Sequence, residues 1–199
     1  AKSIADGLPL YGGQTGTIGL LQIPPLDLGQ VEVIKGVASA LYGASALGGV
    51  INLVSRHPQE NERELLVNLT TRSARDAVLW LARPRENRWS YTLLGGGHFQ
   101  ERTDIDGDGW ADLAGYRRGV IRPRLFWNDD AGRSLFATLG AMVEDREGGT
   151  IGAATVPDGN PFREQLTTRR FDGGLVGRFL LGQKLVSVRG SAMTQRHRH

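Results

Sequence analysis

Cysteine is absent from the 199-residue chain. Neither a disulfide framework nor a thiolate metal site can form, and the redox compartment leaves no trace in the sequence. Long apolar runs are missing too: no stretch of about 18 apolar residues occurs, which excludes a transmembrane helix. A spanning β-barrel is not excluded, because its strands carry only alternating hydrophobicity. Histidine is scarce, with only His57, His98, His197 and His199. No Ser-His-Asp or Cys-His grouping offers a nucleophile with a base, so no enzyme is expected. There is no lysine-rich tail, and the net charge of +3 is spread through strand-like segments. That distribution argues against nucleic acid. The first residue is not Met, and no basic start leads into an apolar stretch and cleavage site. The chain reads as a piece of a longer protein whose true beginning is missing.

Glycine is abundant, with 28 residues. It suits tight turns and close backbone contacts and is poor in helix interiors, so the count favours β structure. From Glu64 onward the apolar residues recur with period two. In "RWSYTLLGGGHFQE", Trp89, Tyr91, Leu93 and Phe99 share one face, and Ser90, Thr92, His98 and Gln100 the other. Leu135, Leu139 and Val143 repeat the pattern, as do Phe171, Leu175 and Phe179. Arg118, Arg122, Arg124, Arg170, Asp172 and Arg178 fall on the opposite faces. Pro123 lacks an N–H and predicts a bulge or a locally weak pairing. Seven strands are predicted, at about 64–72, 77–83, 88–101, 115–127, 134–146, 167–181 and 184–196. After the first, their connections alternate between short and long. Short turns at one end and long loops at the other are the pattern of an outer-membrane barrel. Such a barrel needs about 9 to 11 residues per spanning strand, and most of these segments are longer.

Residues 1–58 have a different texture, compact and punctuated by Gly and Pro, and "QENERE" connects them to the strands. "DGLPLYGG" followed by "LQIPPLDLGQVEVIKGVASALYGASALGGVINLVSRHP" closely resembles the C-terminal half of the plug domain of TonB-dependent outer-membrane receptors. The resemblance is carried by Val31, Glu32, Val33, Lys35 and Gly36. It continues through Ser39, Leu41, Tyr42 and Gly43 to Ala46, Gly48, Gly49, Val50, Ile51 and Asn52. Val37 stands where the family commonly has Pro. The implied fold is mainly β: residues 1–58 as the C-terminal part of a plug, and residues 59–199 as the first antiparallel strands of an incomplete barrel. Large barrels of this type hold a plug in the lumen, and the glycines would let its backbone lie close to itself and to the wall. The arginines and Asp172 would then face the lumen, where Glu32 and Lys35 could pair with lumen-facing charges, the arginines among them.

"DIDGDGWAD" places Asp104, Asp106 and Asp108 at alternate positions, with Gly109 for a sharp turn and Asp112 following. This matches the first half of a calcium loop, in which alternate carboxylates converge on a hard cation. Gly115 occupies the position of the bidentate Glu, so the match is partial. No cofactor is required elsewhere.

The resemblance implies a receptor in the outer membrane of a Gram-negative bacterium. Its ligand would be a small molecule or chelate such as a siderophore, cobalamin, haem or a glycan. Its other partners would be outer-membrane lipid and the TonB energy-coupling protein, reached through a segment N-terminal to this chain. With roughly 22 strands in such transporters, about fifteen would lie outside it, and the piece alone could not transport. The alternative is a soluble β-domain binding module that carries an acidic calcium loop. It requires the apolar strand faces to pair inward in a closed sandwich.

Overall fold

Period-two alternation builds one continuous sheet. The computed structural model describes residues 2–8, 25–35, 49–129 and 131–198. Its large sheet contains β4 (Glu62–Leu69), β5 (Ala74–Glu86), β6 (Trp89–Gln100), β7 (Gly115–Asn128), β8 (Ser134–Gly149), β9 (Arg163–Leu181) and β10 (Lys184–Arg198). Each strand pairs antiparallel with its neighbour in chain order, an up-and-down meander whose edges are β4 and β10. All seven predicted strands are present, and their apolar parity is as the sequence indicates. Leu139 and Leu175 stand 64% and 46% exposed on the odd-numbered face. Arg122, Arg124, Arg170 and Asp172 are buried on the even-numbered one.

The differences from the predicted bounds have local causes. β5 runs past Arg83 to Glu86, with a register shift at Pro84 and Arg85. Pro84 cannot donate to the ladder, so it sits at an irregularity. The hairpin then closes through Asn87 and Arg88, both at positive φ (50° and 73°). Two residues of that conformation match the strand twist of a tight hairpin. At Pro123 the outcome is weak pairing without a bulge. Pro123 stays opposite Leu93 of β6, while pairing with β8 passes from Ile121 opposite Ala141 to Arg124 opposite Thr138 at unchanged offset.

A smaller sheet holds β1 (Lys2–Ala5), β2 (Leu28–Ile34) and β3 (Val50–Ser55), in the order β1-β3-β2. β1 runs parallel to β3, and β2 antiparallel to it. Asp6 and Gly7 (φ 51° and 73°) form a tight turn that returns Leu8 to Ala5. Gly49 leads into β3 at φ 99°, where a Cβ would stand 2.6 Å from the Ile34 carbonyl oxygen. Only glycine fits there without strain.

Two apolar seams join the sheets. Leu26, in a single 3-10 turn (Pro25–Asp27), packs against Val78, Trp80, Ala82 and Leu94. Ala5 and Leu8 pack against Phe136 and Val176. The wall residues all have the parity of the face that bears the arginines, so the small sheet lies on that face. Burying one such leucine side chain contributes about 1.5–3 kcal/mol.

Candidate functional site

The even-numbered face of the large sheet is unusually rich in buried charge. One cross-strand row runs Asp76, His98, Arg118, Glu144 and Thr168 and ends, on β10 where the parity reverses, at His197. His98 Nδ1 lies 2.9 Å from Asp76, Arg118 Nε donates to Glu144 at 2.5 Å, and the Thr168 hydroxyl lies 3.0 Å from His197 Nδ1. Further from the long loops, Arg122 donates to both oxygens of Asp172, at 2.7 and 2.9 Å. Gly140 makes room for this pair: a Cβ there would stand 2.6 Å from the Arg122 guanidinium carbon and 2.7 Å from the Asp172 carboxylate.

Arg124 reaches the small sheet. Its guanidinium holds the Asp27 carboxylate through both terminal nitrogens, with Nη2 2.7 Å from Oδ2. Asp6 lies 4.0 Å from its Nε. Both Arg124 and Asp27 are buried, so neither charge is screened by solvent. Buried charges persist only when paired and hydrogen-bonded.

Asn52 links the strands of the small sheet. Its carbonyl oxygen accepts from the Gly7 N–H at 3.1 Å, and its amide donates to Glu32 at 2.7 Å. Asp6 in turn accepts from the Ser55 N–H and hydroxyl at 2.7 and 2.6 Å. Arg56, in the connector, binds Glu62 and Glu64 and stacks over Trp80, 5.4 Å from its ring centroid. The hydrogen bonds that Arg56 donates to Glu64 hold its pKa above the usual value, although partial burial acts the other way.

Of the plug-motif residues singled out in the sequence, Glu32 and Asn52 bond across this small sheet, and Gly49 leads into it beside Ile34. Lys35 is exposed at the end of β2. Gly36, Tyr42, Gly43 and Gly48 lie outside the described residues. Among the described residues the expected pairing of Glu32 and Lys35 with lumen-facing charges is not seen: Glu32 binds Asn52, and Asp27 is the carboxylate that holds Arg124. Asp27, Asp6 and Glu144 were not singled out. For Asp27 the only signal is a lone acid after "IPPL"; for Glu144 it is even parity beside an arginine-bearing strand. Arg118, Arg122, Arg124, Arg170 and Asp172 share the even-numbered face on which the small sheet lies. Arg178 has the same parity but is exposed near the short-turn end of β9.

In the acidic loop, carboxylate oxygens of Asp104, Asp106 and Asp108 lie within 4.8 Å of one another. Asp104 also accepts from the N–H groups of Gly107 and Gly109, at 2.7 and 2.8 Å. Those bonds, Gly109's first, hold the Asp104 carboxyl below the usual aspartate range. Asp112 accepts from the Ile105 N–H at 2.7 Å, tying the loop's two halves together. The loop is braced by its neighbour: Ala111 N–H donates to Gly149 O at 3.0 Å, Ile151 N–H to Gly109 O at 2.8 Å, and Trp110 stacks on Phe162.

Residues 2–50 match the TonB-dependent Receptor Plug Domain family. Over these residues the chain belongs to that family. It is 30% identical over 173 residues to the ferrioxamine receptor of Yersinia enterocolitica, covering 86% of this chain and 23% of that protein. The siderophore receptor PiuA of Acinetobacter baumannii superposes with a TM-score of 0.69 at 20% identity, over 98% of this chain and 29% of that one. The ferric yersiniabactin uptake receptor FyuA of Yersinia pestis gives the same score at 19% identity, over 98% and 32%. These structural likenesses are of fold. The chain thus spans about a quarter to a third of the receptors it matches. The soluble-sandwich alternative fails on its own requirement, because Leu65, Val67, Leu69, Leu139 and Leu175 are exposed on the face it needed to bury.

Proposed function

We propose that the protein carrying this chain takes up a ferric siderophore across the outer membrane of a Gram-negative bacterium, with energy delivered by TonB. In this reading residues 1–58 form the C-terminal part of the plug and residues 59–199 the first strands of the barrel. The observation that carries it is the small sheet seated on the charged inner face, through Asp27 and Arg124 and the seams at Leu26 and Leu8. The opposite face of the same strands is exposed and apolar. A wall that is apolar outside and charged inside, with a domain seated on the charged side, fits a plugged barrel. Siderophores are favoured over cobalamin, haem or glycans by the ferrioxamine receptor, a relative that matches 86% of the chain.

Within this function, Glu32, Asn52 and Gly49 shape the plug sheet, and Lys35, Gly36, Tyr42, Gly43 and Gly48 belong to the same motif. Asp104, Asp106 and Asp108, with Asp112 behind them, would hold a calcium ion in an extracellular loop. Radioiron-loaded ferrioxamine B and radiolabelled cobalamin, offered to cells whose only receptor is the full-length protein, test the reading. Iron uptake that stops when TonB is deleted is expected. Cobalamin uptake in its place, or iron uptake independent of TonB, would overturn it.

A further inference from the structure

Arg75 on β5, Phe99 on β6 and Arg117 on β7 stand in one cross-strand row on the odd-numbered, outward face. The two guanidinium groups approach the Phe99 ring from its two sides, 5.7 and 5.6 Å from its centroid. Among the described residues neither arginine has a carboxylate partner. Asp145 is next to Arg117 in the row, but its carboxylate accepts from the Thr167 hydroxyl at 2.9 Å. Two cations thus flank one ring with a single acid, Asp145, beside them and not in ion-pair contact, which leaves room for an anion between the guanidinium groups.

Below this row, on the side away from the long loops, the outward face is hollowed. The groove measures about 560 Å³ and is lined by Val67, Leu69, Ala77, Gly97, Gly119 and Val143. Its floor is open: a Cβ added at Gly97 would meet nothing within 4 Å. Arg75, Phe99, Arg117 and Asp145 close its loop end, two cations against one carboxylate. The rest of the face projects large side chains, with Leu79, Ile121 and Leu139 all exposed. An apolar trough ending in two guanidinium groups has the shape of one amphiphile, hydrocarbon below and a negative head above.

We propose that this groove seats an acyl chain of one membrane lipid, whose phosphate lies between Arg75 and Arg117. Guanidinium groups bind phosphate oxygens through paired N–H donors, and basic residues near a headgroup layer favour anionic lipid. The position suits this, since the row lies at the long-loop end of the strands, where the polar headgroups begin. The inference rests on the membrane reading above.

The test uses the full-length receptor in a neutral detergent, with bound molecules counted by native mass spectrometry. The probes are dioleoylphosphatidylglycerol, dioleoylphosphatidylcholine of the same acyl chains, and inorganic phosphate. Phosphatidylglycerol should be retained over phosphatidylcholine by about thirtyfold for two arginines. Arg75→Gln with Arg117→Gln should erase that preference. Gly97→Leu should fill the groove and lower retention with both arginines intact. An unchanged β spectrum shows that each variant is folded. Equal retention of the two lipids by the unaltered receptor overturns the proposal and leaves the membrane reading standing. So does a preference that survives the double substitution, or inorganic phosphate bound as well as the lipid. Retention of neither lipid overturns both.

Discussion

Asp27 and Arg124 are 97 residues apart, yet the Asp27 carboxylate takes both terminal nitrogens of the Arg124 guanidinium, and both side chains are buried. This pair fixes the small sheet on the wall by position as much as by energy. Removing one partner of a buried ion pair costs about 3–5 kcal/mol, whereas replacing both by apolar groups is often neutral. Asp27→Asn should therefore lower the urea midpoint for release of the small sheet, read from a fluorophore at exposed position 33. Asp27→Leu with Arg124→Met should recover most of the loss. A midpoint unmoved by Asp27→Asn would mean that the apolar seams alone hold the sheet.

Gly140 sits beneath the Arg122–Asp172 pair, and a methyl group there would drive into both partners. Overpacking of this kind costs about 1–3 kcal/mol. Gly140→Ala should destabilise the full-length barrel in thermal unfolding, while Gly148→Ala, at a site with open space around it, should not. Equal effects at the two positions would show that Gly140 is not needed for the pair.

The acidic loop gives a pH dependence whose sign follows from Asp104. Its folded pKa is depressed, by the Gly109 N–H first and then by Gly107. The stabilisation is present above the unfolded aspartate value of about 3.9, and is lost as pH falls through the lower folded value. Amide signals of Gly107 and Gly109 should shift in that acid window, and Asp104→Asn should abolish the change. At neutral pH, millimolar calcium should slow exchange of the same amides, and Asp106→Asn should weaken the effect. Exchange indifferent to calcium would leave the loop as a turn held by its own amides.

Leu139 is exposed midway along β8 and faces away from the small sheet. Arginine at the bilayer midplane of a barrel's lipid face costs about 2–4 kcal/mol. Leu139→Arg should lower the folding free energy of the full-length receptor in lipid vesicles by that amount. A loss well below 1 kcal/mol would place residue 139 away from lipid.

Much of the wall could be read from the sequence, because period two encodes which side chains share a face. Leu139 and Arg122 landed on opposite sides for that reason alone. The strand ends were less legible. They depend on turn conformations such as Asn87–Arg88 and on hydrogen bonds that Pro84 cannot make. Which carboxylate meets which arginine was not legible at all. Asp27 and Arg124 become neighbours only once two sheets dock, and no local spacing signals it. Glu32 carries the more conspicuous motif, but Asn52 beside it on β3 takes its carboxylate.

The two-faced wall is tested most directly by a spin-label scan of β8, positions 138 to 144, in the full-length receptor in lipid bilayers. Accessibility to oxygen dissolved in the lipid should alternate with period two, high at 139, 141 and 143 and low at 138, 140, 142 and 144. The same accessibility at both parities, or high values at 138, 142 and 144, would contradict a strand with lipid on one side and a docked plug on the other.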